Sequence, residues 1–508
     1  VTTEVSEGDA NFTNYVAIGN SLTAGFMDAA LYNLGQQNSL AALINEQFVA
    51  VGGTTTFNQP DINSANGFNT SLANPDPQTG AVLGRFKLDT NIPGPSPVIG
   101  GDPIQPFTGF TSSLNNFGVP GVQVGQLLTP DTGTPGTAAF NPFYARFASS
   151  PGSSTILSDA LSAQPSFFSL WIGSNDILGY ALSGATNDAI FTSEANFQQF
   201  FGATVNALMD NTTAKGVVAD IPPVLAIPFF RAVPFNAIGF DDEDPVDQAT
   251  VNQLNAAFGG FNAVLDGIVQ FPGHPQDDAD RRKVQYQFGA NPIFITDPNL
   301  EDVENKMRQL ALLDDNLSQE DVDQFVALGW TQARPMEPSE LVLLSAANVL
   351  GTQADPQNPL SVRGVVVPLQ PQFHLTNENI LDIETRRAGF NQIIENTVST
   401  FNAAATETRM GLYRTNVPPS AFLDLFGALD GQLGVVVNGV RLQPDFSPNG
   451  VFSTDGVHPN ARGNAILANE FIRVIESTFN AQLPRVDVLN LPSVQLCAGD
   501  CVSQLGGS

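Results

Sequence analysis

The chain has 508 residues, 42% of them hydrophobic and 14% charged, and this balance allows it to bury a large core. Its length fits two or three domains, or one α/β core with large insertions. Fifty acidic and 20 basic residues give a formal net charge of −30, which argues against binding to nucleic acid or anionic membranes through phosphate groups. The sequence contains no run of about 18 apolar residues, the length that a membrane-spanning helix needs. The polar start at Val1, without an initiator methionine, leads us to expect a processed or truncated N-terminus.

The first apolar run of the chain ends in the stretch AIGNSLTAG, at positions 17–25. Residues 15–18 have the composition of a buried strand, and Gly19 allows a tight turn after it. Open parallel sheets bind ligands beyond the carboxyl ends of their strands, which makes Ser21 a candidate nucleophile. The alternative is that Asn20 and Ser21 only cap the helix that follows.

Strands and helices alternate along much of the remaining chain. Apolar runs predict further buried strands at 166–172, 216–219 and 410–413. Amphipathic stretches predict helices at 39–49, 196–213 and 378–404, within 141–163, and at the end of the core after 459. Short strands are expected at 84–88 and 97–99, and Asn438-Gly439 between apolar runs predicts a hairpin at 434–442. The alternation predicts an α/β fold with a mainly parallel sheet flanked by helices.

The stretch 231–373 has a mostly helical pattern, and we interpret it as a large insertion or cap. The core is then predicted at 1–230 and 374–485, with a C-terminal tail at 486–508. An apolar stripe at helical spacing, from Val251 to Ile268, is interpreted as packing.

The tail contains the two cysteines, Cys497 and Cys501. Gly499 between them allows the chain to fold back, so we expect a disulfide and with it an oxidising compartment. Two free thiols are the alternative. A zinc site is disfavoured because the tail offers no further cysteine and no histidine to complete four ligands.

The chain has three histidines, His274, His374 and His458, so a general base has few candidates. A serine hydroxyl needs an imidazole to take its proton, and that imidazole needs an acceptor to fix its tautomer. Only His458 follows an aspartate by three residues, Asp455, on a turn-rich loop. We assign no role to the other two histidines.

Four separated blocks of the sequence resemble the SGNH hydrolases, also called GDSL lipases and esterases. They are AIGNSLTAG with Ser21, FGVPG with Gly121, WIGSND with Asn175, and DGVHP with Asp455 and His458. Each block is short, but all four occur in the family's order. The resemblance implies a three-layer flavodoxin-like core and leaves 231–373 unassigned.

By this resemblance, Ser21 is the nucleophile, His458 the general base and then acid, and Asp455 the residue that orients His458. The oxyanion hole would consist of the backbone N–H groups of Ser21 and Gly121 and the side-chain amide of Asn175. No metal or cofactor is implied. The chain departs from the family at Asn20, where an aspartate is usual, and we expect this change to tune activity. Asn175 and Gly121 could instead serve only a helix cap and a turn.

The leading hypothesis is a serine ester hydrolase that acts through an acyl-enzyme on a lipid or other acyl ester. Phe229 and Phe230 are candidates for lining an acyl pocket. The absence of a G-x-S-x-G motif disfavours the α/β-hydrolase fold. A carbohydrate deacetylase of the same family is the first alternative. The second is a surface lipoprotein that keeps the fold and docks an outer-membrane β-barrel, because the chain is similar to large Gram-negative surface members. The resemblance implies an extracytoplasmic location: lipoprotein-anchored at the outer membrane, periplasmic or secreted.

Overall fold

The computed structural model describes residues 4–91, 94–428 and 431–502, which divide into two compact units. The first unit comprises Val1–Leu178, Ile190–Pro228 and Glu384–Ser508, and the second comprises Gly179–Ala189 and Phe229–Ile383. The predicted insertion at 231–373 lies within the second unit. No helix in the described ranges is long and apolar enough to cross a membrane.

A five-stranded, all-parallel sheet forms the centre of the first unit. Its strands, in chain order, are β1 (Tyr15–Gly19), β2 (Asn116–Gly118), β3 (Phe167–Trp171), β4 (Lys215–Ala219) and β5 (Met410–Tyr413). They lie side by side in the order β5-β4-β3-β1-β2. All residues of β1 and β3 are buried, as expected for central strands covered on both faces. The predicted α/β class with a parallel sheet is confirmed.

Helices flank the sheet of the first unit, in keeping with a three-layer α/β arrangement. They are α1 (Ser21–Ala24), α2 (Leu40–Phe48), α3 (Ile156–Ser162), α4 (Asn175–Leu182, of which the part up to Leu178 belongs to this unit), α5 (Glu194–Asn211), α6 (Asn377–Ala404, of which the part from Glu384 belongs to this unit) and α7 (Ala461–Phe479). Shorter helices span Asn33–Gln37, Pro142–Ala145 and Ala421–Leu425.

Aromatic side chains join these layers. Phe471 of α7 packs against Trp171 and Tyr413 of the sheet, with ring centroids 5.5 and 5.6 Å apart. Phe197 of α5 stacks on Phe390 of α6 at 3.9 Å. Such ring contacts add to the burial of apolar area that holds a sheet between its helices.

Two antiparallel ribbons decorate the first unit. Strands Leu83–Asp89 and Gly94–Ile99 pair with each other, and the C-terminal tail adds bridges from Leu496 to Leu88 and from Cys501 to Val98. Within that tail Cys497 and Cys501 are joined by a disulfide. The predicted hairpin consists of Val435–Val437 and Val440–Leu442, with Asn438 and Gly439 at positive φ in its turn.

The second unit combines helices with short antiparallel pairs. Its helices include Pro245–Ile268, Gln276–Arg282, Glu304–Leu310 and Gln319–Leu328. Its strands pair as Ile238–Phe240 with Gly289–Asn291, Phe294–Thr296 with Ala333–Pro335, and Leu341–Val342 with His374–Leu375. The apolar stripe of the first helix is core packing, as predicted, and its Phe258 stacks on Trp330 at 4.3 Å.

The helical pattern predicted within 141–163 forms two short helices, Pro142–Ala145 and Ile156–Ser162, which lie on either side of Pro151-Gly152. Residues 116–118 form strand β2, for which no strand was predicted. Three residues with a glycine at the end carry too little periodicity to reveal a strand, and pairing with β1 creates it.

Candidate active site

Ser21 lies at the carboxyl end of β1, as the first residue of α1. The preceding Asn20 caps that helix, since its side-chain oxygen accepts a hydrogen bond from the N–H of Leu22 at 3.0 Å. Gly19 ends the strand where a β-carbon would collide with the side chain of Thr23 and the carbonyl of Trp171. The chain therefore turns sharply from the strand into the helix, and Ser21 lies at the carboxyl end of the parallel sheet.

The loop before α7 brings Asp455 and His458 to this serine. His458 Nε2 lies 2.9 Å from Ser21 Oγ, and His458 Nδ1 lies 2.9 Å from Asp455 Oδ2. An ionised carboxylate can only accept, so Nδ1 of the imidazole must donate to it. In the neutral ring, Nε2 is then the acceptor for the hydroxyl of Ser21. This is the arrangement in which an imidazole can take the proton of a serine.

Asp455 is buried and held by backbone groups as well as by the imidazole. Its Oδ1 accepts from the N–H groups of Val457 and His458 at 2.8 and 2.9 Å, and its Oδ2 accepts from the N–H of Ala29 at 2.9 Å. Burial by itself raises the pKa of this carboxyl, but the attraction of His458 and these hydrogen bonds outweigh burial and lower it to about 2. Asp455 is thus ionised at neutral pH.

The two other predicted oxyanion residues follow β2 and β3, the strands that lie on either side of β1. Gly121 follows β2 in a turn at φ +77°, where a β-carbon would meet open space, and its backbone is exposed. Asn175 is the first residue of α4, after β3, and one N–H of its amide donates to the carbonyl of Val122 at 2.9 Å. The amide has a second N–H. Asn175 and the Gly121 turn are therefore tied to each other.

Asp176, the last residue of the WIGSND block, is a structural residue of the site. It is fully buried, and its carboxylate accepts from the N–H of Val124 at 3.0 Å and from the hydroxyl of Thr192 at 2.8 Å. It thereby anchors the turn that contains Gly121. Burial raises the pKa of Asp176 to about 7. Its position directly after Asn175, at the end of a buried strand, was the available signal.

A cavity that is partly open to solvent adjoins Ser21, Asn175 and His458. Most of its lining is apolar: Leu22, Leu178, Pro222, Val224, Ile227, Ala421, Phe422, Leu425, Val435, Val451, Phe452, Val457, Pro459, Ile466 and Leu467. Gly121 lies outside this lining. The suggested Phe229 and Phe230 belong to the second unit, and the aromatic residues of the lining are Phe422 and Phe452.

The other two histidines lie in the second unit. Burial lowers the pKa of His374 to about 4, so its imidazole is neutral at physiological pH. Burial also lowers the pKa of His274. In the described part of the chain, no group of three or more histidine, cysteine or acidic residues could hold a metal ion.

Replacing Asp176 by asparagine should remove a pH dependence of stability. Because the folded pKa is raised from 3.8 to about 7, the stability contributed by this group is fully present below pH 3.8 and is lost as the pH rises to 7. The free energy of unfolding of the wild type, relative to Asp176→Asn, should fall by up to about 1.4 kcal/mol per pH unit in that window. Urea unfolding at several pH values measures this difference, with Asp210→Asn as an exposed control. A difference that does not change with pH would contradict it.

The resemblance to the SGNH hydrolases depends on four short motifs, and comparisons with known proteins add no relative to it. No protein-family model matches the chain, and no curated protein or solved structure is significantly similar to it. Membership of that family stays a prediction, and the chemistry of the site has to follow from its own atoms.

Proposed function

We propose that the chain is a serine ester hydrolase with an SGNH-type, flavodoxin-like core. The observation that carries this proposal is the continuous hydrogen-bonded line from Ser21 through His458 to Asp455, with 2.9 Å at each link. A serine in such a line is a nucleophile activated by a general base. The strand order of the parallel sheet, read as 2-1-3-4-5, supports the flavodoxin-like arrangement.

The reaction would proceed in two halves. Ser21 Oγ attacks the ester carbonyl while His458 Nε2 takes its proton, and Asp455 stabilises the imidazolium. The tetrahedral intermediate collapses, the C–O bond to the alcohol breaks, and His458 returns the proton to the leaving alkoxide. Water then attacks the acyl carbonyl while His458 takes a proton from it. The bond between the acyl carbon and Ser21 Oγ breaks, His458 returns the proton to Oγ, and the carboxylic acid leaves. Backbone N–H groups of Ser21 and Gly121 and the amide of Asn175 would bind the oxyanion.

Asparagine at position 20, where the resembled family has aspartate, is compatible with hydrolysis in this scheme. Its side-chain oxygen already serves the cap of α1, so an asparagine there keeps the hydrogen bond that an aspartate would make to the N–H of Leu22. What changes is the negative charge beside the nucleophile. The hydrogen-bonded line through Ser21 does not depend on that charge.

The cavity beside Ser21 favours an aliphatic acyl group over an acetyl group on a sugar. Its lining offers many apolar side chains and few polar partners for carbohydrate hydroxyls, and buried hydroxyls without partners are unfavourable. A lipid-like acyl ester is therefore the preferred substrate class, and a carbohydrate deacetylase is second. The disulfide between Cys497 and Cys501 supports an extracytoplasmic location. Anchoring at an outer membrane and docking to a β-barrel rest on the resemblance alone.

Labelling with a fluorophosphonate probe tests the proposal before any natural substrate is known. The wild type should be labelled because Ser21 is activated by His458, and Ser21→Ala should not be labelled. Ser174→Ala is the matched control: Ser174 also lines the cavity, but among the described residues its buried hydroxyl has no hydrogen-bond partner. It should label like the wild type. Equal labelling of the wild type and Ser21→Ala would refute the assignment of the nucleophile.

The amide of Asn175 is expected to act in the transition state. Asn175→Ala should lower kcat for a para-nitrophenyl acyl ester by about a hundredfold or more, with a much smaller change in KM. Because this amide also ties the Gly121 turn through Val122, circular dichroism and the thermal midpoint should be recorded for the same variant. An unchanged kcat in a folded variant would reduce Asn175 to a helix-start residue.

A further inference from the structure

The segment after α1 contains an unusual turn. Asp28 and Ala29 both have positive φ, +56° and +61°, and the turn is closed by hydrogen bonds between the backbones of Met27 and Ala30, at 3.2 and 3.1 Å. Residues other than glycine rarely adopt this left-handed conformation, and two in succession must be held by their surroundings. Both residues are buried.

What holds the turn is the 453–458 loop, which contains Asp455 and His458. Asp28 N–H donates to Ser453 Oγ at 3.0 Å, and Ala29 N–H donates to Asp455 Oδ2 at 2.9 Å. In return, Thr454 donates to Asp28 Oδ1 through its N–H at 2.9 Å and its hydroxyl at 2.6 Å. Turn and loop therefore fix each other across more than four hundred residues of sequence. The left-handed backbone is what directs the N–H of Ala29 at Asp455.

The second carboxylate oxygen of Asp28, Oδ2, has partners outside the 453–458 loop. It accepts from the hydroxyl of Tyr32 at 2.7 Å and lies 4.0 Å from Nη1 of buried Arg85. Arg85 also lies over the ring of Tyr32, and the N–H of Phe86 donates to the carbonyl of Asp28 at 2.8 Å. Arg85 and Phe86 belong to the ribbon strand Leu83–Asp89. A buried carboxylate with this many partners has one position available to it.

We propose that Asp28 is a positioning residue for the proposed hydrolysis, which fixes the 453–458 loop so that Asp455 and His458 stay in line with Ser21. The inference rests on the proposed function for its kinetic consequence. Its structural consequence, the geometry of the Asp455–His458 pair, can be measured without turnover. Among the described residues, Asp28 forms no hydrogen bond with Ser21 or with a residue that lines the cavity. It reaches the loop through Ser453 and Thr454, and through the adjacent Ala29, whose N–H donates to Asp455.

The test compares two substitutions of Asp28. Asp28→Ala removes the acceptor for Thr454 and should lower kcat for a para-nitrophenyl ester roughly ten- to a hundredfold, with little change in KM, because the base is displaced while the cavity is intact. Asp28→Asn keeps the oxygen that faces Thr454, and the hydroxyl of Tyr32 can accept instead of donate. It should restore kcat to within about threefold of the wild type, because the hydrogen bonds to Thr454 survive.

The matched control is Asp220→Ala. Asp220 is also buried and also accepts from the N–H and hydroxyl of a threonine, Thr415, but it bonds no residue of the 453–458 loop within the part of the chain that the structure describes. Loss of this carboxylate should lower the thermal midpoint without the fall in kcat. If Asp28→Ala and Asp220→Ala lower kcat equally, the positioning role is overturned.

A spectroscopic readout separates this inference from the proposed function. The proton that His458 Nδ1 shares with Asp455 should resonate far downfield in the proton NMR spectrum, and its absence in His458→Gln would assign it. The signal should broaden or vanish in Asp28→Ala and persist in Asp28→Asn and Asp220→Ala. That pattern in a chain that hydrolyses no ester would support the positioning role and refute the hydrolase. An undisturbed signal in folded Asp28→Ala would overturn the positioning role, whatever the activity.

Should Asp28→Ala fail to fold, Thr454→Val decides the question. This near-isosteric change removes one of the two hydrogen bonds from Thr454 to Asp28 and leaves the N–H in place. A fall in kcat of about three- to tenfold, with a weakened His458 signal, is expected. Wild-type kcat together with a wild-type signal would overturn the inference.

Discussion

The imidazole of His458 can serve Ser21 only while an acceptor holds its other ring nitrogen, and the first unit supplies that acceptor from a buried, ionised carboxylate. Ser21 and His458 are 437 residues apart in sequence. The parallel sheet brings the two residues together, because Ser21 lies at the carboxyl end of β1 and the loop before α7 lies at the same end. The same edge receives the turns after β2 and β3, which contain Gly121 and Asn175. Strand order, more than any single contact, makes the site.

Gly121, Asp455 and His458 lie in loops and not in helices or strands. Buried polar partners are therefore needed to hold these loops in place. Asp176 anchors the turn with Gly121, and Asp28 and Ala29 anchor the loop with Asp455 and His458. In both cases a buried carboxylate accepts a hydrogen bond from a backbone N–H group of the loop, Val124 for Asp176 and Thr454 for Asp28. A buried acceptor of this kind stabilises the fold only when all its hydrogen-bond partners are present, because an unpaired buried polar group lowers the stability of the folded chain.

Much of this could be predicted from the sequence where the signal is local. The strand before Gly19, the helix at 39–49 and the Asn438-Gly439 turn each depend on neighbouring residues, and the structure has all of them. The candidate residues Ser21, Asp455 and His458 came from their local sequence and from the resemblance that the four blocks carry, and the structure places His458 within hydrogen-bond distance of the other two. Asp28 could not be found in this way, because its partners in the 453–458 loop lie more than four hundred residues ahead. The apolar cavity was equally hidden, since its lining is assembled from six separate segments.

The central claim is that Ser21 forms a covalent acyl-enzyme, and trapping that intermediate tests it most directly. The chain would be mixed with a para-nitrophenyl ester of an aliphatic acid, quenched in acid within milliseconds to seconds, digested and analysed by mass spectrometry. An acyl mass increment is expected on the peptide that contains Ser21. It should be absent in Ser21→Ala and, where acylation still occurs, more persistent in His458→Ala. Turnover of the ester by the wild type with no increment on that peptide, or with the acyl group on another residue, would contradict it.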